Sequence, residues 1–271
     1  MIPVDIVRHF LKDIEDGVAD GFGRLGFRYI SLDNPDTRAY LKMQRGQTGV
    51  MVTKPSRILN PGILRPHDVI LSLDGRKISN SGNIRLADGQ SRHFFSYVAE
   101  KQIGEKVRVS LIRDGDVIER EMTVCKMYEK IEPRLYDRRP EYFIIGGFVF
   151  TKLSYSYLDE WGKNSPPDSL LRFIDEEKDS PDDSIVVLAG VLGDRVNLGY
   201  DQLAARQLIA VNGKKIRSLR ELAAVVDAGR GEYITFNFAD DLPVILNLGK
   251  LRSESPHILQ RYQVPNDRYL R

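Results

Sequence analysis

The sequence predicts two small α+β domains, each mostly antiparallel β in a partly open barrel or sandwich with two helices. Two observations carry this. The segment Asp68-Val69-Ile70-Leu71-Ser72-Leu73-Asp74-Gly75-Arg76-Lys77-Ile78 returns as Arg206-Gln207-Leu208-Ile209-Ala210-Val211-Asn212-Gly213-Lys214-Lys215-Ile216. An Asp-Gly or Asn-Gly pair after an apolar run marks a tight turn, because both central residues must accept positive φ. The other elements recur in the same order around each copy: glycine loop, strand, irregular stretch, strand, strand with Asx-Gly turn, helix, hairpin. A repeat at a domain's spacing reads as duplication.

Taken along the chain, Val4, Ile6, Val7, Phe10, Leu11 and Ile14 have helical spacing, so residues 1–19 form an entry helix. Residues 20–127 form the first domain. Arg24-Leu25-Gly26-Phe27-Arg28-Tyr29-Ile30 is a glycine loop entering a strand, residues 49–53 and 68–73 are strands, and residues 79–92 are a polar loop. A helix with Phe94, Phe95 and Val98 follows. Val107, Val109 and Leu111 then alternate into an Asp114-Gly115 turn and return through Ile118, Met122 and Val124.

Residues 128–141, charged and containing Pro133 and Pro140, read as a linker. The second domain, 142–250, opens with Tyr142-Phe143-Ile144-Ile145-Gly146-Gly147-Phe148-Val149-Phe150 and carries an insertion near 151–184. In that insertion Pro166-Pro167, with Asp168 as N-cap, starts a helix bearing Leu170, Leu171 and Ile174. Ser218-Leu219-Arg220-Glu221 is a capping box for a helix that buries Leu222, Ala223 and Val226. A hairpin through Phe236 and Val244 closes the copy. Residues 251–271 form a polar tail whose sparse apolar residues either dock or stay loose.

Bulk composition narrows the function classes. The chain has 271 residues, enough for two cores, and is 42% hydrophobic and 29% charged. Forty basic and 38 acidic residues leave a net charge of +2 with the signs interspersed, which does not point to nucleic acid. No run approaches the roughly 18 apolar residues of a membrane span. Cys125 is the single cysteine and sits at a strand end, so neither an intramolecular disulfide nor a thiolate metal cluster is available. His9, His67, His93 and His257 have no metal-ligand spacing, and no cofactor fingerprint is present. Asn80-Ser81-Gly82 lacks the flanking glycines of a protease nucleophile turn and reads as a loop. The acidic run around Glu176, Glu177, Asp179, Asp182 and Asp183 reads as a solvated helix end. The sequence offers no catalytic centre and no metal site.

The glycine loops are the functional clue. A glycine just before a strand can turn successive N–H groups toward one anion. If the anion is a peptide's C-terminal carboxylate, the neighbouring strand edge can take the peptide on as an added strand. In the first copy Arg24, Leu25, Gly26, Phe27 and Tyr29 form the loop and edge, and Phe95 and Val98 the helical wall. In the second, more weakly, Gly146, Gly147 and Phe148 face Leu222 and Val226. The alternative is that these are core residues beneath a glycine turn.

With Arg24-Leu25-Gly26-Phe27 in the place of a Gly-Leu-Gly-Phe loop and Asp68 to Gly75 in the strand-turn segment, the first domain resembles a PDZ domain. Val107 to Val124, with Arg113-Asp114-Gly115, is similar to the closing hairpin of PDZ domains in HtrA/Deg serine proteases. Ile2-Pro3-Val4 and Arg8-His9-Phe10-Leu11 are similar to that family's exit from the protease domain. The second domain, with Asn197-Leu198-Gly199-Tyr200, resembles the divergent second PDZ of plant-type Deg proteases. The resemblance implies a tandem PDZ module that recruits peptides, exposed C-termini or unfolded segments for proteolysis in protein quality control. A protease domain is then an implied partner, from which this chain would be either a fragment or a stand-alone regulator, and homo-oligomers are implied as well. None of the family's catalytic triad maps to a residue here, and no cofactor is implied. A second reading makes the modules assembly or autoregulatory elements, with the second groove filled by the protein's own segment. The resemblance favours a bacterial cell envelope or periplasm, with a plant organelle or the nucleus as the other settings, and leaves the compartment open.

Overall fold

A computed structural model describes residues 4–85, 89–174 and 176–271. Ile2 and Pro3 of the family-like entry, and residues 86–88 of the expected polar loop, lie outside the described residues. The chain divides into two compact units, Met1–Met127 and Tyr128–Arg271.

The first unit runs α1 (Val4–Asp13), β1 (Phe27–Ser31), α2 (Pro35–Tyr40), β2 (Val50–Pro55), β3 (Val69–Leu73), β4 (Arg76–Lys77), β5 (Asn83–Arg85), β6 (Ser91–His93), α3 (Phe94–Ala99), β7 (Lys106–Arg113) and β8 (Asp116–Thr123). Its main sheet has the order β1-β2-β3-β7-β8, with β4 folded back on β3 and every pairing antiparallel. Alternation puts Val50, Val52, Ile70, Leu73, Val107, Val109 and Leu111 on one face. There they pack with Phe94 and Val98 of α3. The opposite face around Val69 and Ile112 is covered by Leu32 and Leu41, which flank α2. Helix α2 starts on Asn34, whose side chain accepts from Asp36 and Thr37 N–H, with Pro35 at the first helical position.

The second unit runs β9 (Tyr142–Ile145), β10 (Phe148–Lys152), α4 (Tyr155–Asp159), α5 (Asp168–Leu171), β11 (Val186–Val191), a single 3-10 turn (Arg195–Asn197), β12 (Arg206–Val211), β13 (Lys214–Lys215), α6 (Leu219–Ala228), β14 (Tyr233–Phe238), β15 (Pro243–Asn247), α7 (Leu248–Arg261) and β16 (Arg268–Tyr269). Its sheet order is β15-β14-β12-β11-β10-β9-β16, with β13 on β12.

The duplication is visible bond by bond. Strands β1, β2, β3, β7 and β8 correspond to β10, β11, β12, β14 and β15, and α3 corresponds to α6. Each copy shifts register at the second residue of its first strand, Arg28/Tyr29 and Val149/Phe150. Each shifts again inside the central strand, Ile70/Ser72 and Leu208/Ala210. The bulged residue receives the same bond both times, Ile78 N–H to Leu71 O at 2.8 Å and Ile216 N–H to Ile209 O at 2.9 Å. Both Asx-Gly turns have positive φ at both positions: 47° and 79° at Asp74-Gly75, 49° and 76° at Asn212-Gly213.

Two sequence expectations change and one left open is decided. Residues 128–141 are bound into the second unit rather than hanging as a bare connector. Lys130 and Glu132 N–H donate to Glu176 O and Leu153 O, and Lys178 Nζ meets Glu132 at 2.7 Å. Ile131 joins Leu153, Leu158, Leu170, Phe173 and Val187 in a small second core. The helix expected from Asp168 is only α5, capped by Pro167 without a side-chain bond, so Asp168 is its first residue and not its N-cap. The polar tail docks: its first half completes α7, which buries Leu251, Ser255 and Ile258, and its end forms β16. Among the described residues no helix is long and apolar enough to cross a membrane.

Candidate functional site

In the first unit the glycine loop is held from behind. Arg24 exchanges both backbone bonds with Cys125, at 2.8 and 2.9 Å. Gly26 has φ +77°, and its O accepts from Ser56 N–H at 2.7 Å. A Cβ there would collide with Leu59 and meet Ser56 at 3.0 Å, so the position demands glycine. No described group accepts from the N–H of Leu25 or Gly26. Two adjacent donors at a left-handed glycine form the concavity that takes an anion.

The loop feeds into β1, which among the described strands pairs only with β2 and is therefore an edge strand. Its free side lies beside α3. Phe27 and Tyr29 approach Phe95 at ring distances of 6.4 and 5.7 Å, and Arg24 sits over the Phe95 ring at 5.5 Å. A cavity of about 580 Å³ opens between the loop and α3. Leu25 and Val98 are buried in the core, so they support the loop and the helix from behind rather than line the groove. Of the other predicted residues of this copy, Arg24 and Phe95 line the cavity, Gly26 and Phe27 are buried beside it with Phe27 part of the core, and Tyr29 lies half-buried against Phe95.

His93, which has no ligand spacing in the sequence, closes the far end. Its Nδ1 accepts from Phe95 N–H at 3.2 Å, capping α3. In the neutral ring Nε2 therefore carries the proton and donates to Tyr29 Oη at 2.5 Å. Burial lowers the His93 pKa and raises that of Tyr29. A side chain placed at Gly82 would crowd both partners, which is why the 79–83 loop is tight there. Asn80-Ser81-Gly82 serves the framework, since Asn80 O and Oδ1 accept from Leu32 and Gly49 N–H.

The second copy is built differently. Gly146-Gly147, with φ 55° and 88°, is the turn of a hairpin joining β9 to β10. Strand β10 is paired on both sides, with β11 and with β9, and β16 lies beyond β9. The edge that stays free in the first unit is here covered by the chain itself. The polar groups of the loop are used as well. Gly146 N–H donates to Ser255 Oγ of α7 at 2.8 Å, and buried Asn197 Nδ2 donates to Gly146 O and Leu192 O, both at 2.8 Å. Phe148, Leu222 and Val226 are core residues, 0%, 0% and 2% exposed. The expected second groove at Gly146, Gly147, Phe148, Leu222 and Val226 is corrected to a closed turn over a core. The sequence showed the glycines, but not that residues 142–145 would lie along the strand following them.

The PDZ domain family profile matches residues 131–269, half of the chain, and the chain belongs to that family. Over nearly its whole length it is similar to Do-like proteases. It is 28% identical to Protease Do-like 2, chloroplastic, of Arabidopsis thaliana, covering 99% of this chain and 44% of that protein. It is 27% identical to Protease Do-like 4, mitochondrial, of the same plant, covering 98% and 50%. A Plasmodium falciparum serine protease DegP homolog is 29% identical over 60% of this chain and 18% of its own. The chain thus spans about half the length of the curated relatives it matches. Among solved structures, HtrA-type protease AlgW with decapeptide is 24% identical, covers 46% of this chain and 35% of its own, and has a TM-score of 0.33. The likeness to the PDZ region of HtrA/Deg proteases, expected from the glycine loop and the strand-turn, is therefore upheld.

Proposed function

We propose that this chain is the peptide-recruiting and regulatory part of a Do-like protease system, and that its first unit captures peptide C-termini by strand addition. One observation carries the proposal: β1 is an edge strand beside α3, entered through a loop whose two N–H donors have no partner among the described residues. An extended peptide on β1 would complete the sheet hydrogen bonds while its carboxylate rests on Leu25 and Gly26 N–H. On this reading the chain carries no peptidase activity of its own, and cleavage belongs to a catalytic domain like that of the relatives.

The test is fluorescence polarisation with a library of labelled C-terminal peptides, each paired with its C-terminal amide. Micromolar binding by some acids, lost on amidation, is the expected result. A library that shows no affinity for the intact chain sinks the proposal.

A second reading is favoured by β9 lying along β10. The second unit would be a self-filled module that serves assembly or autoregulation rather than capture. Peptides that bind only the first unit, with no effect of changes at Leu222 or Val226 beyond stability, would agree with it.

A further inference from the structure

We propose that α1 forms one wall of the pocket receiving the ligand's last side chain, so that the first groove selects a bulky apolar terminal residue partly through Ile6 and transmits its occupancy to the entry helix. This rests on the peptide-capture reading above. The cavity beside the glycine loop is bounded on one side by Phe95 and Ala99 of α3 and on the other by Ile6 of α1 and by Phe22. Ile6 and Phe22 are 42% and 47% exposed, so both present apolar surface that a ligand can cover. Arg24 at the rim supplies positive charge suited to a terminal carboxylate, while Glu100 in the same lining is paired with Arg92 at 3.7 Å, so a free C-terminus with its side chain in the cavity is the ligand that fits.

The coupling follows from how α1 is held. Gly21 N–H donates to Asp13 at 2.9 Å, and Gly21 O accepts from His9 Nε2 at 3.2 Å. His9, 4% exposed, stacks on Phe22 at 4.6 Å, and its Nδ1 meets the Gln102 amide, just past α3, at 3.3 Å. One short backbone segment, 21–26, therefore anchors α1 at its start and offers the carboxylate donors at its end. The helix is tied to the Phe22 segment on its own side of the cavity and, through Gln102, to the end of α3 on the other, so a side chain wedged between the two loads α1 directly.

The experiment compares Ile6→Ala with Val7→Ala in the intact chain, using peptides that differ only in ending with Phe, Leu or Ala. Both sites are exposed on α1, 42% and 44%, so both variants fold. Ile6→Ala is expected to weaken binding of the Phe and Leu peptides about 5-fold, by loss of buried methylene contact, while the Ala peptide changes little. Val7→Ala should change none. Hydrogen exchange of the α1 amides should slow when the Phe peptide saturates the wild-type chain. Equal affinities for Ile6→Ala and wild type, or unchanged α1 exchange, overturn the inference while leaving capture intact. If no peptide binds either protein, the capture reading fails and the inference falls with it.

Discussion

Asp74 and Asn212 show why the repeated turn keeps an Asx residue and not merely a glycine. Asp74 N–H donates to Arg108 O while Arg108 N–H returns to Asp74 Oδ1, both at 2.8 Å. Asn212 does the same with Thr235, at 2.9 and 2.8 Å. The side chain supplies an acceptor where the turn leaves the ladder, and it tolerates the left-handed φ. Asn212→Ala loses both advantages and should cost about 1–2 kcal/mol by urea denaturation, whereas Asn212→Asp should cost much less. Asp74 has gained more: burial works against its charge, but bonds from Tyr97, the Arg108 N–H and Lys101 outweigh it and hold its pKa below the usual value. In the first copy the turn is thereby tied to α3, the wall of the groove.

At the scale of elements, α3 is six residues long and depends on its cap and its packing rather than on its own propensity. The cap is His93, and burial lowers its pKa, so the unfolded chain takes up the proton first. The contribution of the cap is therefore complete above the unfolded value of about 6.5 and is lost progressively as pH falls through it toward the lower folded value. Stability of the first unit should decline between about pH 7 and 5, and His93→Asn, which keeps a side-chain acceptor but cannot titrate, should flatten that decline in thermal melts. A wild-type melting curve indifferent to pH over this range would contradict the assignment. Much of this level was legible in the sequence. Alternation and the Asx-Gly pairs pointed to the strands and hairpins, and Ser218 caps α6 as its motif implies, accepting from Glu221 N–H, although Glu221 itself reaches Arg217 N–H one residue earlier. Helix α7 was hidden by Gly249 and Pro256, although Leu248, Leu251, Ser255 and Ile258 keep helical spacing and all are buried. Helix α2 is only six residues long, and its signal was only Asn34-Pro35. The role of His93 was not legible, because it depends on Tyr29 coming opposite it across 64 residues of chain.

For the whole molecule, duplication produced two frames with the same bulges and different mouths. The seal of the second lies in pieces distant in sequence: β9 ahead of the loop, and Ser255 more than a hundred residues beyond it. Periodicity identifies strands but does not say which one lies against a given edge, which is why the two glycine loops look alike in sequence. Ser255→Ala leaves the buried Gly146 N–H without its acceptor and should destabilise the second unit by about 1–3 kcal/mol. Hydrogen exchange should quicken at the β9–β10 turn and leave β1 and β2 unchanged.

The uncovered side of β1 has a cost outside recognition. An edge strand templates any extended chain, including another copy of this one, and such edges are where sheets nucleate aggregates. The strand is short, bent by its register shift at Arg28/Tyr29, and carries Arg28 outward, all of which oppose stacking without preventing entry of a single guest strand. Solubility and receptivity are thus set by the same five residues, and in the second copy the equivalent strand, paired on both sides, is free of that conflict.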